Sequence, residues 1–199
     1  MDNKIVNEKP IIFNSEMIRA ILEGRKTQTR RPIKFDNLFD GEMLQELPGI
    51  FLAKCLFGKV GDRLWVRESF FIDVDLSLND VKIMVDSGCN LHGPFYDSGF
   101  EDNKTLKKIS SIHMPRWASR ITLEIIDVRA ERVQDITEED AMNEGIISNV
   151  ERFNLIRNTR ILNKYRYAFI NLWDSIYAHK YPWKSNPWVW AITFKVMKV

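Results

Sequence analysis

The strongest indication of the fold is the stretch Gly24-Arg-Lys-Thr-Gln-Thr-Arg-Arg-Pro32. Ahead of it, Asn14 or Ser15 can cap a helix over Glu16 to Glu23, and the glycine can end that helix in a left-handed conformation. The residues from Arg25 to Lys34 carry five Lys and Arg and no acid, and the proline interrupts regular structure. Threonine hydroxyls therefore lie beside cations just after a predicted helix.

This composition permits nucleophilic chemistry. Clustered cations lower the pKa of a lysine, because each like charge penalises protonation. A neutral Lys26 could then accept the proton of the Thr29 hydroxyl and make it a nucleophile. In a fully extended strand the two side chains lie on opposite faces, so the pairing needs a turn or bulge. The alternative, which composition alone favours, is a solvated basic loop that binds phosphate at most.

The remaining periodic segments predict a mixed α+β domain. Alternating apolar residues predict strands over Arg63–Phe70, Ser119–Val128 and Trp188–Val196. A capping-box pattern predicts a short helix over 137–145, and an apolar stripe predicts a longer one from Phe153 to Tyr177. Because strands and helices do not alternate with regular βαβ spacing, a doubly wound sheet is not expected.

The length of 199 residues and mass of 23.4 kDa fit one domain over residues 1–199. Residues 35–60 and 71–110 lack periodicity and are predicted to be insertions, the second with a hairpin around Val81 to Val85. The two cysteines, Cys55 and Cys89, have no partners at zinc or disulfide spacing, which fits a reducing cytosol. No segment has the length of a membrane span or the character of a signal peptide, so we expect a cytoplasmic protein.

The net charge of +2 is unevenly distributed. From Arg152 to Val199 nine Lys and Arg face one acid, whereas the balance over residues 131–144 is −5. This asymmetry predicts a surface that faces a polyanion, against the alternative of a solvated face. On the long helix Arg157, Arg160 and Lys164 recur at helical spacing and could follow phosphates. Trp65 or Trp117 could stack a base, although core packing is the more common use of tryptophan.

Six segments together resemble a known family. They are Gly24 to Pro32, Gly61-Asp-Arg-Leu-Trp-Val-Arg-Glu68, Pro115-Arg-Trp-Ala-Ser-Arg120, Ile121-Thr-Leu-Glu-Ile-Ile-Asp-Val-Arg129, Ile136-Thr-Glu-Glu-Asp-Ala-Met-Asn-Glu-Gly145 and Asn186-Pro-Trp-Val-Trp190. In their order and spacing they are similar to ASCH-domain proteins of the PUA-like superfamily, in particular prophage-type members. No P-loop, GxGxxG, HExxH or GxSxG motif points elsewhere.

The resemblance implies a small β-barrel flanked by helices, with a cleft lined by the Gly24–Pro32 loop. PUA-like domains commonly bind RNA or modified bases, and one small ASCH member hydrolyses the amide of N(4)-acetylcytidine. Aligned on that member, the catalytic residues are Lys26, Thr29 and Glu144. Neither a metal nor a cofactor is implied. Further candidates for substrate or nucleic-acid binding are Arg25, Arg30, Arg31 and Arg67.

Three functions stay open at this point. The first is an amidohydrolase acting on an acylated nucleoside, in which Lys26 activates Thr29, Glu144 orients Lys26, and Arg30 or backbone amides stabilise the oxyanion. The second is a module that binds RNA or a modified base without turnover. The third, less favoured, is a nuclease on single-stranded RNA. The expected partner is a modified nucleoside or RNA, without a membrane or an obligate protein partner.

Overall fold

The computed structural model describes residues 6–34, 55–89, 94–96, 103–147 and 164–197. Its seven strands are β1 (Glu8–Ile12), β2 (Gln28–Pro32), β3 (Arg63–Arg67), β4 (Phe70–Asp73), β5 (Leu106–Ile109), β6 (Thr122–Arg132) and β7 (Trp188–Val196). The α-helices in this part of the chain are α1 (Ser15–Leu22), α2 (Leu78–Asp86), α3 (Glu138–Asn143) and α4 (Lys164–Tyr177). The predicted mixed α+β class is confirmed.

Five of the strands form one sheet in the order β1-β3-β6-β7-β2. Strands β1 and β3 are parallel, and the other neighbours are antiparallel. Strand β2 pairs with β7 so that Thr29 lies opposite Ile192. The pairing of β6 with β7 shifts between Ile125 and Asp127, which marks a bulge. The sheet thus brings together strands from both ends of the sequence, since β1 and β2 come before the other strands of the sheet and β7 comes last.

The closed barrel that the family resemblance implied is not formed by the described strands. Each of β1 and β2 has one sheet neighbour, and the two edges do not pair with each other. Helix α1 connects these two edge strands, and its Ile18 and Ile21 pack into the same core as Ile11 and Phe13. The helix therefore contributes the apolar surface that this side of the core needs, in place of further strand pairing.

Alternation in the strands separates the two faces of the sheet as expected. In β3, Leu64 and Val66 are fully buried, whereas Trp65 and Arg67 are half-buried. In β7, Ile192 and its neighbours on the same face belong to the core beneath α1. Val189 faces the other way, into a second cluster with residues of α3 and α4. The sheet is thus covered on both faces near β7.

A smaller unit is built from β4, β5 and α2. The two strands pair with each other, and Val81 of the helix packs in a cluster with Phe70, Ile72 and Met114. The hairpin predicted around Val81 to Val85 is wrong, because these residues are helical. The helix begins with a capping box in which the Ser77 and Asp80 side chains bond reciprocally to the backbone.

Two of the predicted segments extend beyond the described residues. Most of the 35–60 insertion and the beginning of the long helix, including Leu155, fall there. The described part of that helix starts at Lys164 and buries Phe169 and Trp173, two residues of the predicted stripe. Both cysteines are free. Within the described part of the chain, no helix is long and apolar enough to cross a membrane.

The ends of α1 and α3 meet, and this meeting positions the candidate site. Asn14 caps α1 by accepting a hydrogen bond from the Met17 amide at 2.8 Å. Gly24 follows the helix with φ +76°, and Gly145 follows α3 with φ +79°. Both helices therefore end as predicted. The residues that follow α1 lie against the residues that follow α3.

Candidate functional site

Lys26 and Glu144 form a short antiparallel bridge between the two helix ends. The ammonium group of Lys26 is fully buried and donates to Glu144 Oε2 at 2.6 Å and to the Glu144 carbonyl oxygen at 2.9 Å. Glu144 is itself 4% exposed. The structure therefore brings two of the predicted catalytic residues into direct contact, although 118 positions separate them in the sequence.

Close backbone packing at Gly145 holds this contact in place. An added Cβ there would lie 2.7 Å from the Cβ of Lys26 and 2.8 Å from the Cβ of Ala20. The Lys26 amide also donates to the Ala20 carbonyl at 3.0 Å. Only glycine gives both the positive φ and the room for Lys26 at this position.

Arg30 extends the pair into a network of buried charges. Its Nη1 lies 3.3 Å from Glu144 Oε1, and its Nε donates to Glu131 at 2.8 Å. Its Nη2 lies 2.7 Å from Glu131 and 3.0 Å from Asp140, in ion-pair contact but without hydrogen-bond alignment. Arg129 pairs with the same two acids. Lys26, Arg30 and Arg129 thus face three carboxylates in this network, and Arg129 also contacts the exposed Asp127.

Burial controls the protonation of Lys26. Removal from water lowers the pKa of its ammonium group, and Glu144 opposes that shift by its charge and its hydrogen bond. Arg31 and Arg30 lower the pKa further by repulsion. The lowering predicted from clustered cations is therefore found, but its first cause is burial. Lys26 is easier to deprotonate than an ordinary lysine.

The pKa of Asp140 is shifted in the direction opposite to the one that burial alone would cause. Burial alone would raise its pKa, but the charges of Arg30 and Arg129 outweigh that effect and hold the pKa below its ordinary value. The carboxylate therefore stays ionised, which keeps Arg30 paired. The network fixes the arginine that lies next to the Lys26–Glu144 pair.

Thr29 lies near the pair without bonding to it. The residue is 2% exposed, and within the described part of the chain no hydrogen bond joins it to Lys26. It lines a cavity of ≈ 20 Å³ together with Glu144 and Arg31, between α1, β2 and α4. A cleft of ≈ 360 Å³ lies next to this cavity, and Met17, Glu144 and Leu172 line both. Thr29 and Glu144 therefore share one recess.

The neighbouring arginines have different surroundings. Arg25 bonds to Glu23 and donates to the Gly145 carbonyl at 2.7 Å. Arg31 donates to the Tyr177 hydroxyl at 3.2 Å and to the Ile12 carbonyl at 2.6 Å, and it lies over the Phe13 ring. Its Nε is buried and has no hydrogen-bond partner. Arg30 Nη2 also lacks a hydrogen-bond partner, but it lies in ion-pair contact with Glu131 and Asp140, whereas no such contact is found for Arg31 Nε among the described residues.

The other predicted binding residues are not gathered at this recess. Trp65 is on the outer face of β3, with the Arg67 guanidinium 5.3 Å from its ring, and Arg67 donates to the carbonyls of Met114 and Ile112. Trp117 packs against the core of the smaller unit. On the long helix, Lys164 is exposed at the first position of α4. The other two predicted phosphate contacts, Arg157 and Arg160, lie outside the described residues.

Sequence reasoning did not find the acids that pair with Arg30. Glu131 and Asp140 fall in the segment 131–144, whose negative balance was interpreted as charge asymmetry at the surface. In the structure both carboxylates turn towards the basic loop. The sequence did contain one signal for this pairing: residues 25–34 are basic and residues 131–144 are acidic. Among the described residues, no three His, Cys, Asp or Glu side chains converge as metal ligands.

Comparisons with known proteins found similarity only among solved structures. No protein-family model and no curated protein matches the chain. It is similar to an ASCH domain from Lactobacillus crispatus JV V101, at 13% identity and TM-score 0.41, over 96% of this chain and 79% of that one. It is also similar to protein EF3133 from Enterococcus faecalis V583, described under family DUF984, at 9% identity and TM-score 0.41, over 99% and 79% of the chains.

Proposed function

We propose that this chain hydrolyses the amide bond of an acylated nucleoside such as N(4)-acetylcytidine. The observation that carries the proposal is the fully buried Lys26 ammonium, 2.6 Å from Glu144, beside a recess that Glu144 shares with Thr29. Burial lowers the pKa of the Lys26 ammonium, so Lys26 gives up its proton more readily than an exposed lysine, and a threonine hydroxyl needs such a base.

In the proposed reaction the Thr29 hydroxyl attacks the acyl carbonyl and gives its proton to Lys26. The recess beside Thr29 has room for about one water, which could carry this proton to the Lys26–Glu144 pair. Collapse of the tetrahedral intermediate breaks the carbon–nitrogen bond, and the amino group of the base leaves with a proton from Lys26. Water then hydrolyses the acyl-threonine ester and releases the carboxylic acid.

Arg31 is the better candidate for the oxyanion donor. Arg30 was the first choice from sequence, but its guanidinium is committed to Glu131, Asp140 and Glu144. Arg31 has a buried, unpartnered Nε and lines the recess with Thr29. A fixed donor near the developing negative charge stabilises the transition state without reorganisation.

The adjoining cleft has the size and lining for a nucleoside. Its volume of ≈ 360 Å³ falls at the small end of the range for ligand sites, about 300–1,000 Å³. Ala20, Ile146 and Leu172 supply apolar walls, and Asn14 and Arg25 supply polar groups. A sugar and a base can therefore be accommodated between α1 and α4 while the acyl group points to Thr29.

The experiment measures release of acetate from N(4)-acetylcytidine by purified full-length chain. Thr29→Val removes the hydroxyl at nearly constant shape and should reduce kcat at least about a thousandfold. Lys26→Arg keeps the charge but prevents a neutral amine, so it should cost about 10²- to 10⁴-fold. Thr27→Val makes the same change two positions earlier and should leave kcat within about twofold of wild type.

Circular dichroism of each variant separates loss of activity from loss of folding. Full activity of folded Thr29→Val would exclude that residue as the nucleophile. A wild-type chain that binds acylated cytidines without turnover would exclude the hydrolase.

That last outcome would support a second candidate, a module that binds RNA or a modified base without turnover. One observation favours it: both hydrogen bonds of Lys26 end on Glu144, and no part of the Lys26 side chain is exposed. A lysine so enclosed can also serve only to join the ends of α1 and α3. In that case Lys26→Arg would lower stability and leave ligand affinity within the recess unchanged.

A further inference from the structure

Tyr177 lies at the recess, and the proposed reaction gives it no role. It is the last residue of α4, and it lines the recess together with Thr29, Arg31 and Glu144. Its ring centre lies 4.6 Å from that of Trp173, a buried residue of the same helix. Packing against this buried ring restricts the orientation of the Tyr177 side chain and therefore the place of its hydroxyl group.

The Tyr177 hydroxyl has a hydrogen left to donate. Its oxygen accepts a hydrogen bond from Arg31 Nη1 at 3.2 Å. A phenol both accepts and donates, and no atom of the described residues accepts a hydrogen bond from this hydroxyl. A hydroxyl that accepts from a cation is polarised, which strengthens it as a donor. The hydrogen of Tyr177 is therefore available to a ligand in the recess.

Arg31 supplies a second donor to the same recess. Its Nη2 donates to the Ile12 carbonyl at 2.6 Å, and its guanidinium lies 5.1 Å from the centre of the Phe13 ring. These contacts hold the guanidinium in place, while its buried Nε has no hydrogen-bond partner among the described residues. Because Nη1 donates to Tyr177, the two unused donors belong to one connected pair of side chains.

The proposed nucleophile lies next to this pair. Thr29 and Arg31 are two positions apart on β2, so their side chains leave the same face of the strand. When the Thr29 hydroxyl attacks an acyl carbonyl, the carbonyl oxygen becomes negatively charged within the recess that both donors line. Fixed donors in a site that excludes water stabilise such an oxyanion strongly.

We propose that Tyr177 is a further catalytic residue, which donates a second hydrogen bond to this oxyanion alongside Arg31. The phenol keeps its proton throughout, so the proton transfers between Thr29, Lys26 and the leaving group are unchanged. The inference rests on the proposed hydrolase. It adds a donor from α4 to a site whose other groups lie within residues 26–31 and at the end of α3.

The first test is hydrolysis of N(4)-acetylcytidine by Tyr177→Phe, which removes the hydroxyl and keeps the ring. We expect kcat to fall about 10²- to 10³-fold, as for loss of one oxyanion donor, and KM to stay within about twofold. Tyr181→Phe is the matched control, because Tyr181 packs against the same buried cluster as Tyr177 and does not line the recess. It should leave kcat within about twofold of wild type. Circular dichroism checks that both variants are folded.

The second test needs no turnover. N(4)-methanesulfonylcytidine has a tetrahedral sulfonyl group in place of the acyl carbonyl, so its oxygens lie as those of the tetrahedral intermediate do. In isothermal titration calorimetry, Tyr177→Phe should weaken binding of this analogue about tenfold and leave that of cytidine within about twofold. A purely structural role of the hydroxyl would change the two affinities alike.

Together the two tests separate the role of Tyr177 from the proposed hydrolase. If wild type releases acetate and folded Tyr177→Phe keeps both its kcat and its affinity for the analogue, the role of Tyr177 is wrong and the hydrolase stands. If wild type shows no turnover but binds the analogue through the hydroxyl, the hydrolase is wrong and the donor role of Tyr177 stands. A chain that neither releases acetate nor binds the analogue overturns both.

Discussion

Gly145→Ala tests whether close packing at the end of α3 holds Lys26 in place. The new Cβ would be 2.7 Å from the Cβ of Lys26 and 2.8 Å from that of Ala20, so one of these neighbours has to move. Gly24→Ala is the matched control, because its φ of +76° is close to the +79° of Gly145 and no atom lies within 4 Å of its added Cβ. Both variants carry the conformational cost of about 1–2 kcal/mol for an L-residue in this region. Gly145→Ala adds overpacking of about 1–3 kcal/mol.

Urea unfolding followed by circular dichroism measures both costs. We expect Gly24→Ala to lose roughly 1 kcal/mol and Gly145→Ala roughly 3 kcal/mol at an unchanged m-value. In the hydrolysis assay, Gly145→Ala should also lower kcat, because the displaced backbone is that of the proposed base. Equal destabilisation by the two variants would refute the reasoning, since it would leave only the shared conformational cost and no steric contact with Lys26.

The buried pair and its titration give two further predictions. Glu144→Gln leaves the Lys26 ammonium without its carboxylate and should cost about 3–5 kcal/mol, whereas Glu144→Gln combined with Lys26→Met should regain most of that loss in the same urea titration. A double variant no more stable than Glu144→Gln would contradict this pairing. Because the folded pKa of Lys26 lies below the ordinary 10.5, the unfolded chain binds more protons between those two values, and stability should rise with pH there. In Lys26→Met this rise should disappear; an identical pH profile of the two proteins would show that the burial of Lys26 carries no titration penalty.

Strong local patterns made parts of the fold predictable. Strand β7 was predicted over Trp188–Val196, and the structure has the same bounds, because five apolar residues alternate along it. Helix α1 was predicted within a residue at each end, from its cap and its terminal glycine. Helix α2 was missed because it buries only Val81, so its apolar period is weak. Its cap pairs Ser77 with Asp80, where the usual pattern has Glu or Gln in the second position.

The candidate site was predictable only in part, because it depends on contacts between distant segments. Lys26 and Glu144 were paired from the family resemblance, and nothing in their local spacing indicates the 2.6 Å contact. The partners of Arg30 follow from the sheet, since β7 lies between β2 and β6 and so brings Glu131 near the loop. Such a relation requires the strand order, which local periodicity does not contain.

The buried network of paired charges also changes where a polyanion can bind. One alternative for the basic segment after α1 was a solvated loop that binds phosphate, but Lys26 and Arg30 are buried and paired with the chain's own carboxylates. Moving either cation out to a phosphate would break its ion pairs with these buried carboxylates, and breaking a buried ion pair costs several kcal/mol. Attraction for a nucleic acid must therefore come from cations outside this network.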